Sequence, residues 1–268
     1  MNKKPIGIFD SGVGGLTVVR EIIKLLPDES IIYLGDTANL PYGEKSEDII
    51  RQYAIDNTRF LLKFGIKILV VACNTASSVA LDLLKNKFKI PIIGVIEPAV
   101  RGAIEVTHNR KIGVIGTNRT IKSGIYATTL KGIDNSLSIF SKPCPLLVPL
   151  IEENFIDHEA TRLITLEYLK ELEERGIDTM ILGCTHYPLI YPIISNLLPE
   201  VRLIDSALST AHALKSTLES KELKCPEGSP AGYRFFATDI SEKLNILAKS
   251  ILKNILPEKE NIFEKIAL

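Results

Sequence analysis

Two of the four cysteines in this chain are followed by polar residues in matching fashion: Cys73-Asn74-Thr75 and Cys184-Thr185-His186. Each triplet comes directly after a short β-branched run and before a segment of helical period, so each cysteine belongs to a turn from strand into helix. A helix N-terminus favours negative charge, and a thiol there is expected to fall from about 8.5 towards neutrality, making a thiolate base available at physiological pH. Thr75 is a candidate cap for the first helix, and Pro188 a first-turn residue of the second. Reversible proton transfer is the chemistry that needs such tuning. Cys184 and His186 are two apart, so in extended backbone both side chains point one way and the imidazole can exchange protons with the thiol. Asp10, closing the first apolar run, is placed to do the same for Cys73.

A single buried cysteine is ordinarily a small core residue. That reading is kept for Cys144, between Pro143 and Pro145, and for Cys225 in a Pro- and Gly-bearing stretch. His108, His158 and His212 have no polar company and are expected on the solvated surface. Gly12-Val13-Gly14 after a strand, with Asp36 downstream, partly imitates a dinucleotide-binding fingerprint, but Thr17 holds the third glycine position and Asp10 would repel a pyrophosphate. The glycines are then a tight turn with close helix packing. Cys184, His186, a remote cysteine and a carboxylate are zinc-ligand types, yet the chain has no Cys-x-x-Cys and no finger spacing, so no metal is assigned. A thiol hydrolase using Cys184 and His186 fits acyl transfer but leaves Cys73 unexplained.

The elements that must carry these residues alternate between β-branched runs and helical periods, the pattern of an α/β fold with mainly parallel sheet. Strands are expected at 6–9, 31–34, 68–72, 92–95, 112–115, 146–148, 180–182, 202–204 and 233–237, with helices between. Leu16, Val19, Ile22, Ile23 and Leu26 share one helix face, which Pro27-Asp28 ends. Ser46 can cap the next helix, whose first turn holds Glu47 and Asp48 as the dipole prefers. Two half-length units emerge, from Ile6 to Val95 and from Ile112 to Ile204, each presenting one cysteine turn. Boundaries are expected near Glu97-Pro98 and Asp205-Ser206, dividing the chain into 1–96 with 207–268, and 97–206. The segment from Lys224 to Pro230 is the one evident linker. Ligands bind at the carboxyl ends of strands in such sheets, which is where Asp10, Asp36 with Pro41-Tyr42-Gly43, Cys73 and Cys184 fall.

Basic and acidic residues each number 32 among 268, so no charge excess advertises nucleic acid or an anionic membrane, and a small-molecule partner is expected. No apolar run approaches the roughly 18 uncharged residues of a membrane span, and the N-terminus shows no signal-peptide core. A cytoplasmic protein with free thiols is expected.

With Gly7-Ile8-Phe9-Asp10-Ser11-Gly12-Val13-Gly14-Gly15-Leu16 the chain resembles the glutamate racemases of the aspartate/glutamate racemase superfamily. The resemblance continues through Asp36-Thr37-Ala38, Pro41-Tyr42-Gly43, Ala72-Cys73-Asn74-Thr75-Ala76-Ser77, Gly183-Cys184-Thr185-His186-Tyr187-Pro188 and Phe236-Ala237-Thr238-Asp239. It implies two pseudo-symmetric α/β domains with the active site in the cleft between them, no cofactor, and glutamate as substrate. It makes Cys73 and Cys184 the acid/base thiols, with Asp10 and His186 as auxiliaries. Substrate contacts would come from Asp10, Ser11, Tyr42, Gly43, Asn74, Thr75, Thr185 and His186, and, further out, Pro41, Thr117 and Glu152. Its implied role is D-glutamate supply for peptidoglycan, and a homodimer is expected.

Inverting an α-carbon requires a proton to leave one face and another to arrive on the opposite face. One thiolate abstracts while the opposing thiol donates, and the roles exchange in the reverse direction. Without an electron sink the site itself must stabilise the carbanion, through donors such as Asn74, Thr75 and Thr185 on the α-carboxylate. Asp10 is a candidate counter-ion for the ammonium, and backbone donors of the Pro41-Tyr42-Gly43 turn could clamp a second carboxylate.

Overall fold

The computed structural model describes residues 2–256 and 260–268. The chain opens with β1 (Ile6–Asp10), α1 (Leu16–Leu25), β2 (Ile31–Gly35), α2 (Glu47–Leu62), β3 (Ile68–Val71), α3 (Asn74–Lys87) and β4 (Ile92–Gly94). Helix α4 (Ile96–Val106) leads to β5 (Lys111–Gly116), α5 (Asn118–Lys122), α6 (Ile125–Ile133), β6 (Ser138–Pro143), α7 (Leu147–Glu152) and α8 (Glu159–Glu174). There follow β7 (Thr179–Gly183), α9 (Tyr191–Leu197), β8 (Arg202–Asp205), α10 (Ser206–Ser220), β9 (Tyr233–Ala237), α11 (Glu242–Leu252) and β10 (Glu264–Lys265).

All strands pair in parallel, in two sheets ordered β10-β9-β2-β1-β3-β4 and β6-β5-β7-β8. Every residue of β1, β2, β3 and β7 is buried, as expected for parallel strands covered on both faces. Alternation then sorts the side chains: Ile6, Ile8, Ile68 and Val70 face a core continuous with Ile112, Val114 and Ile181 of the second sheet, while Phe9, Leu69 and Val71 face α2 and α3. Helix α10 packs on both α1 and α4, joining the two halves.

The expected strand at 146–148 is a helix instead. Leu147 and Ile151, one helical turn apart, are the buried residues of α7, and a short apolar run does not by itself distinguish the two periods. On its outer side β5 pairs with the edge strand β6, which has no fully buried residue and so lacked an apolar signature. Glu97 and Pro98 lie in the first turn of α4, and Asp205-Ser206 is the junction of β8 with α10. Ser46 caps α2 through Ile49 N–H as expected. Residues 224–230 link α10 to β9 without regular structure.

Candidate active site

The residues that follow five strands of two different sheets meet in one cavity of about 340 Å³: Ser11 after β1, Cys73 after β3, Thr117 after β5, Cys144 after β6 and Cys184 after β7. Tyr42, Gly43, Asn74, Thr75, Glu152, Thr185 and His186 complete most of its wall, with Pro41 beside them. The volume suits a small molecule. A separate groove of about 820 Å³, bordered by α2, α3, α4 and α6, contains none of the cysteines.

Cys73 is itself the N-cap of α3: its sulfur accepts from Ala76 N–H at 3.4 Å, and its thiol points at Ser11 Oγ, 3.6 Å away. Thr75, the expected cap, lies inside the first turn, where its hydroxyl forms a triangle with those of Thr117 and Thr120, each side 3.0–3.2 Å. The lowered thiol pKa expected from the helix terminus is not what Cys73 experiences. Burial, and then the negative charge of Asp10, push it up to about 12, with the Ala76 and Ser11 hydrogen bonds only partly opposing. Desolvation of a fully buried anion outweighs a helix end.

Cys184 is not followed by a full α-helix but by a short 3-10 turn, Tyr187–Ile190, with Pro188 as its second residue. Its sulfur lies 3.8 Å from His186 Nδ1, and His186 Nε2 lies 3.0 Å from Glu152 Oε1. Burial disfavours the imidazolium, but the bonds and charges of Cys184 and Glu152 together hold its pKa well above the ordinary histidine value. Glu152 is correspondingly lowered by His186 against the opposing effect of burial.

Asp10 does not reach the cavity surface. It is fully buried, accepts from Gly12 N–H at 2.9 Å and receives the Thr185 hydroxyl at 3.4 Å, across the two halves. Burial raises its pKa, while the charge of His186 and the N–H groups of Gly12 and Gly15 restrain the rise. The glycine run is what lets the halves approach. A Cβ on Gly14 would sit 2.5 Å from both His186 Nδ1 and Thr185 Oγ1, and one on Gly15 would collide with Asp10. Thr17 Oγ1, at the start of α1, adds a bond to the Thr185 carbonyl at 2.9 Å.

Asp36, the acidic residue downstream of the glycine run, is buried and already engaged by Tyr42 Oη at 2.5 Å, Asn39 Nδ2 at 2.9 Å and Thr238 Oγ1 at 3.0 Å. It positions Tyr42 in the cavity wall. Among the described residues no group of three or more His, Cys, Asp or Glu side chains is arranged to hold a metal ion. Cys144 is buried, as expected for a core residue, but it also borders the cavity, and burial pushes its thiol up to about 12. Cys225 is buried away from the site, and His108, His158 and His212 are exposed. Three contributors escaped the sequence reading: Tyr126, whose hydroxyl meets Asn74; Thr120; and Asn118, which donates to Glu44 at 2.9 Å at the cavity mouth. Each pairs with a residue more than 40 positions away, and no local pattern marks such a partner.

Residues 6–214 match the family model described as Asp/Glu/Hydantoin racemase. The chain is 48% identical over 238 residues to a glutamate racemase from Geobacter metallireducens, covering 88% of each. It is 53% identical over 210 residues to one from Persephonella marina, covering 78% of this chain and 81% of that protein. Among solved structures, glutamate racemase isoform RacE1 from Bacillus anthracis superposes with a TM-score of 0.94 at 39% identity, over 100% of this chain and 99% of that one. The Francisella tularensis glutamate racemase solved in complex with D-glutamate gives 0.91 at 36% identity, over 100% and 98%. No helix among the described residues is long and apolar enough to cross a membrane.

Proposed function

This chain belongs to the Asp/Glu/hydantoin racemase family, and on that premise we propose that it interconverts L-glutamate and D-glutamate by passing the α-proton between Cys73 and Cys184 without a cofactor. The observation that carries this reading is the pair of cysteine turns, one from each sheet, opening on a single small cavity. The two sheets act as two domains, 1–96 with 207–268 and 97–206, with the substrate between them.

The surroundings of the two thiols are opposite in charge. Cys73 has a buried carboxylate near it, which disfavours a thiolate, whereas Cys184 stands beside an imidazole that Glu152 helps keep protonated. Cys73 therefore enters the cycle as the thiol that donates. A substrate ammonium entering the cavity supplies the positive charge that Cys73 lacks, so the roles can exchange with the opposite enantiomer. Ser11 accepts the Cys73 proton in a hydrogen bond and orients it.

Asn74, Thr75 and Thr185 bind the α-carboxylate and stabilise it as the α-carbon releases its proton. The turn at Pro41, Tyr42 and Gly43 receives the side-chain carboxylate, with Thr117 opposite. Asp10, tied up behind the wall, acts through Thr185 and through its field at Cys73 rather than by direct contact. The enzyme works in the cytoplasm as a homodimer and supplies D-glutamate for peptidoglycan, a reading that rests on family membership.

The test is incubation of each glutamate enantiomer in heavy water. The unmodified enzyme places deuterium at the α-carbon of both, while Cys73→Ser and Cys184→Ser abolish racemisation and keep exchange of one enantiomer at most. Full racemisation by either single variant, or faster turnover of aspartate than of glutamate, would sink the proposal.

A further inference from the structure

Asn74 presents an imbalance. The residue is 2% exposed and borders the cavity, its Oδ1 receives the Tyr126 hydroxyl at 2.6 Å, and its Nδ2 is buried with no partner among the described residues. A buried N–H pair without an acceptor is costly, and such a group in a folded protein calls for a role. Tyr126 reaches Asn74 from α6, which belongs to the other half of the molecule. Its ring packs on Gly183, the residue before Cys184, where a Cβ would stand 3.2 Å from Tyr126 Cε2.

We propose that Tyr126 is a positioning residue that sets the carboxamide of Asn74, presenting its N–H groups to the substrate α-carboxylate and pinning Asn74 to the turn that carries Cys184. The proposal rests on the reading of Asn74 as a carboxylate donor given above. A carboxamide has one acceptor end and one donor end, and rotating it by half a turn exchanges them. Tyr126 stays protonated, because burial, with the nearby Cys184 charge adding to it, pushes its pKa up. Its proton needs an acceptor, and Oδ1 provides it. The donor end is thereby turned away from Tyr126, and a carboxylate, which only accepts, is the complementary ligand. A donor already oriented costs no reorganisation when charge builds on the substrate.

Tyr126→Phe keeps the ring on Gly183 and removes only the hydroxyl, so the variant should fold with an unchanged melting temperature to within a few degrees. It should lower kcat/KM for glutamate about tenfold. In an Asn74→Ala background, itself impaired, the same change should have no further effect, whereas a purely structural tyrosine would multiply the two losses. Asn74→Asp probes the orientation without touching Tyr126: one oxygen accepts the hydroxyl, the other opposes the substrate carboxylate, and KM should rise about a hundredfold. Full kcat/KM in Tyr126→Phe alongside an impaired Asn74→Ala overturns the positioning role and leaves the Asn74 reading standing. Losses that multiply in the double variant overturn it as well. Full activity in Asn74→Ala overturns the Asn74 reading itself, and with it the proposal.

Discussion

Gly14→Ala is the smallest change that should separate the cysteine turn from its support. The added Cβ would lie 2.5 Å from His186 Nδ1 and from Thr185 Oγ1, about 0.9 Å short of the 3.4 Å at which ordinary contact begins. Neither neighbour is a loose end. His186 is held at Nε2 by Glu152, and the Thr185 carbonyl is held by Thr17. Relief must therefore shift the whole Cys184 turn away from α1 by roughly the overlap. Overpacking of this kind costs about 1–3 kcal/mol of stability, which a chain of this size survives with a melting point lower by several degrees. Displacing a reacting group by about 1 Å costs on the order of a hundredfold in rate. The activity loss should thus far exceed what partial unfolding explains. The assay is kcat for racemisation at a temperature where circular dichroism shows the variant folded. Gly132→Ala in α6 is the control: its Cβ would meet nothing within 4 Å, so it should gain about 0.5–1 kcal/mol from helix propensity and leave kcat unchanged. A folded Gly14→Ala enzyme with kcat within threefold of the unmodified protein would refute the view that this contact places His186.

Glu152→Gln should move the alkaline limb of the kcat/KM profile to lower pH, since the carboxylate that helps His186 keep its proton is gone; an unmoved limb argues against the pairing. The same pair links pH to stability. His186 is raised on folding, so its contribution is fully present below the ordinary value of about 6.5 and is lost as pH rises through the raised one. Glu152 is lowered, so its share is present above about 4.5 and lost as pH falls through the lowered value. Melting temperature measured from pH 6 to 9 should fall for the unmodified protein and stay flatter for Glu152→Gln. At the opposite end of the first sheet, Lys67 and Glu29 form an ion pair at 2.5 Å with both side chains buried. Lys67→Met strands that carboxylate and should cost about 3–5 kcal/mol, lowering the melting point by on the order of 10 °C. Adding Glu29→Gln, which keeps an acceptor for Cys225 N–H, should recover most of the loss, and failure to recover it would assign the cost to packing.

Much of the fold was legible because its signals are local. Buried parallel strands read as β-branched runs, and Ser46, Glu47 and Asp48 announced the start of α2 in the order of their side chains. Strand β6 escaped because an edge strand with no buried residue carries no apolar signature, and α7 was misread because four apolar residues suit either period. The candidate site residues were legible for the same reason: Cys73, Cys184 and His186 stand just after their own strand ends, and chain direction alone puts each at the carboxyl edge of its own parallel sheet.

What the chain's order of residues determined by itself, then, was the type of most elements and the two turns that bear thiols, since both depend on neighbours within a few positions. Tertiary structure decided the rest. It made Cys73 a weaker acid where a helix terminus promised a stronger one, because desolvation is set by every atom that excludes water and most of those lie far along the chain. It also joined Asn74 to Tyr126 and Gly14 to His186 across two sheets, contacts that exist only once both halves have folded and closed on each other.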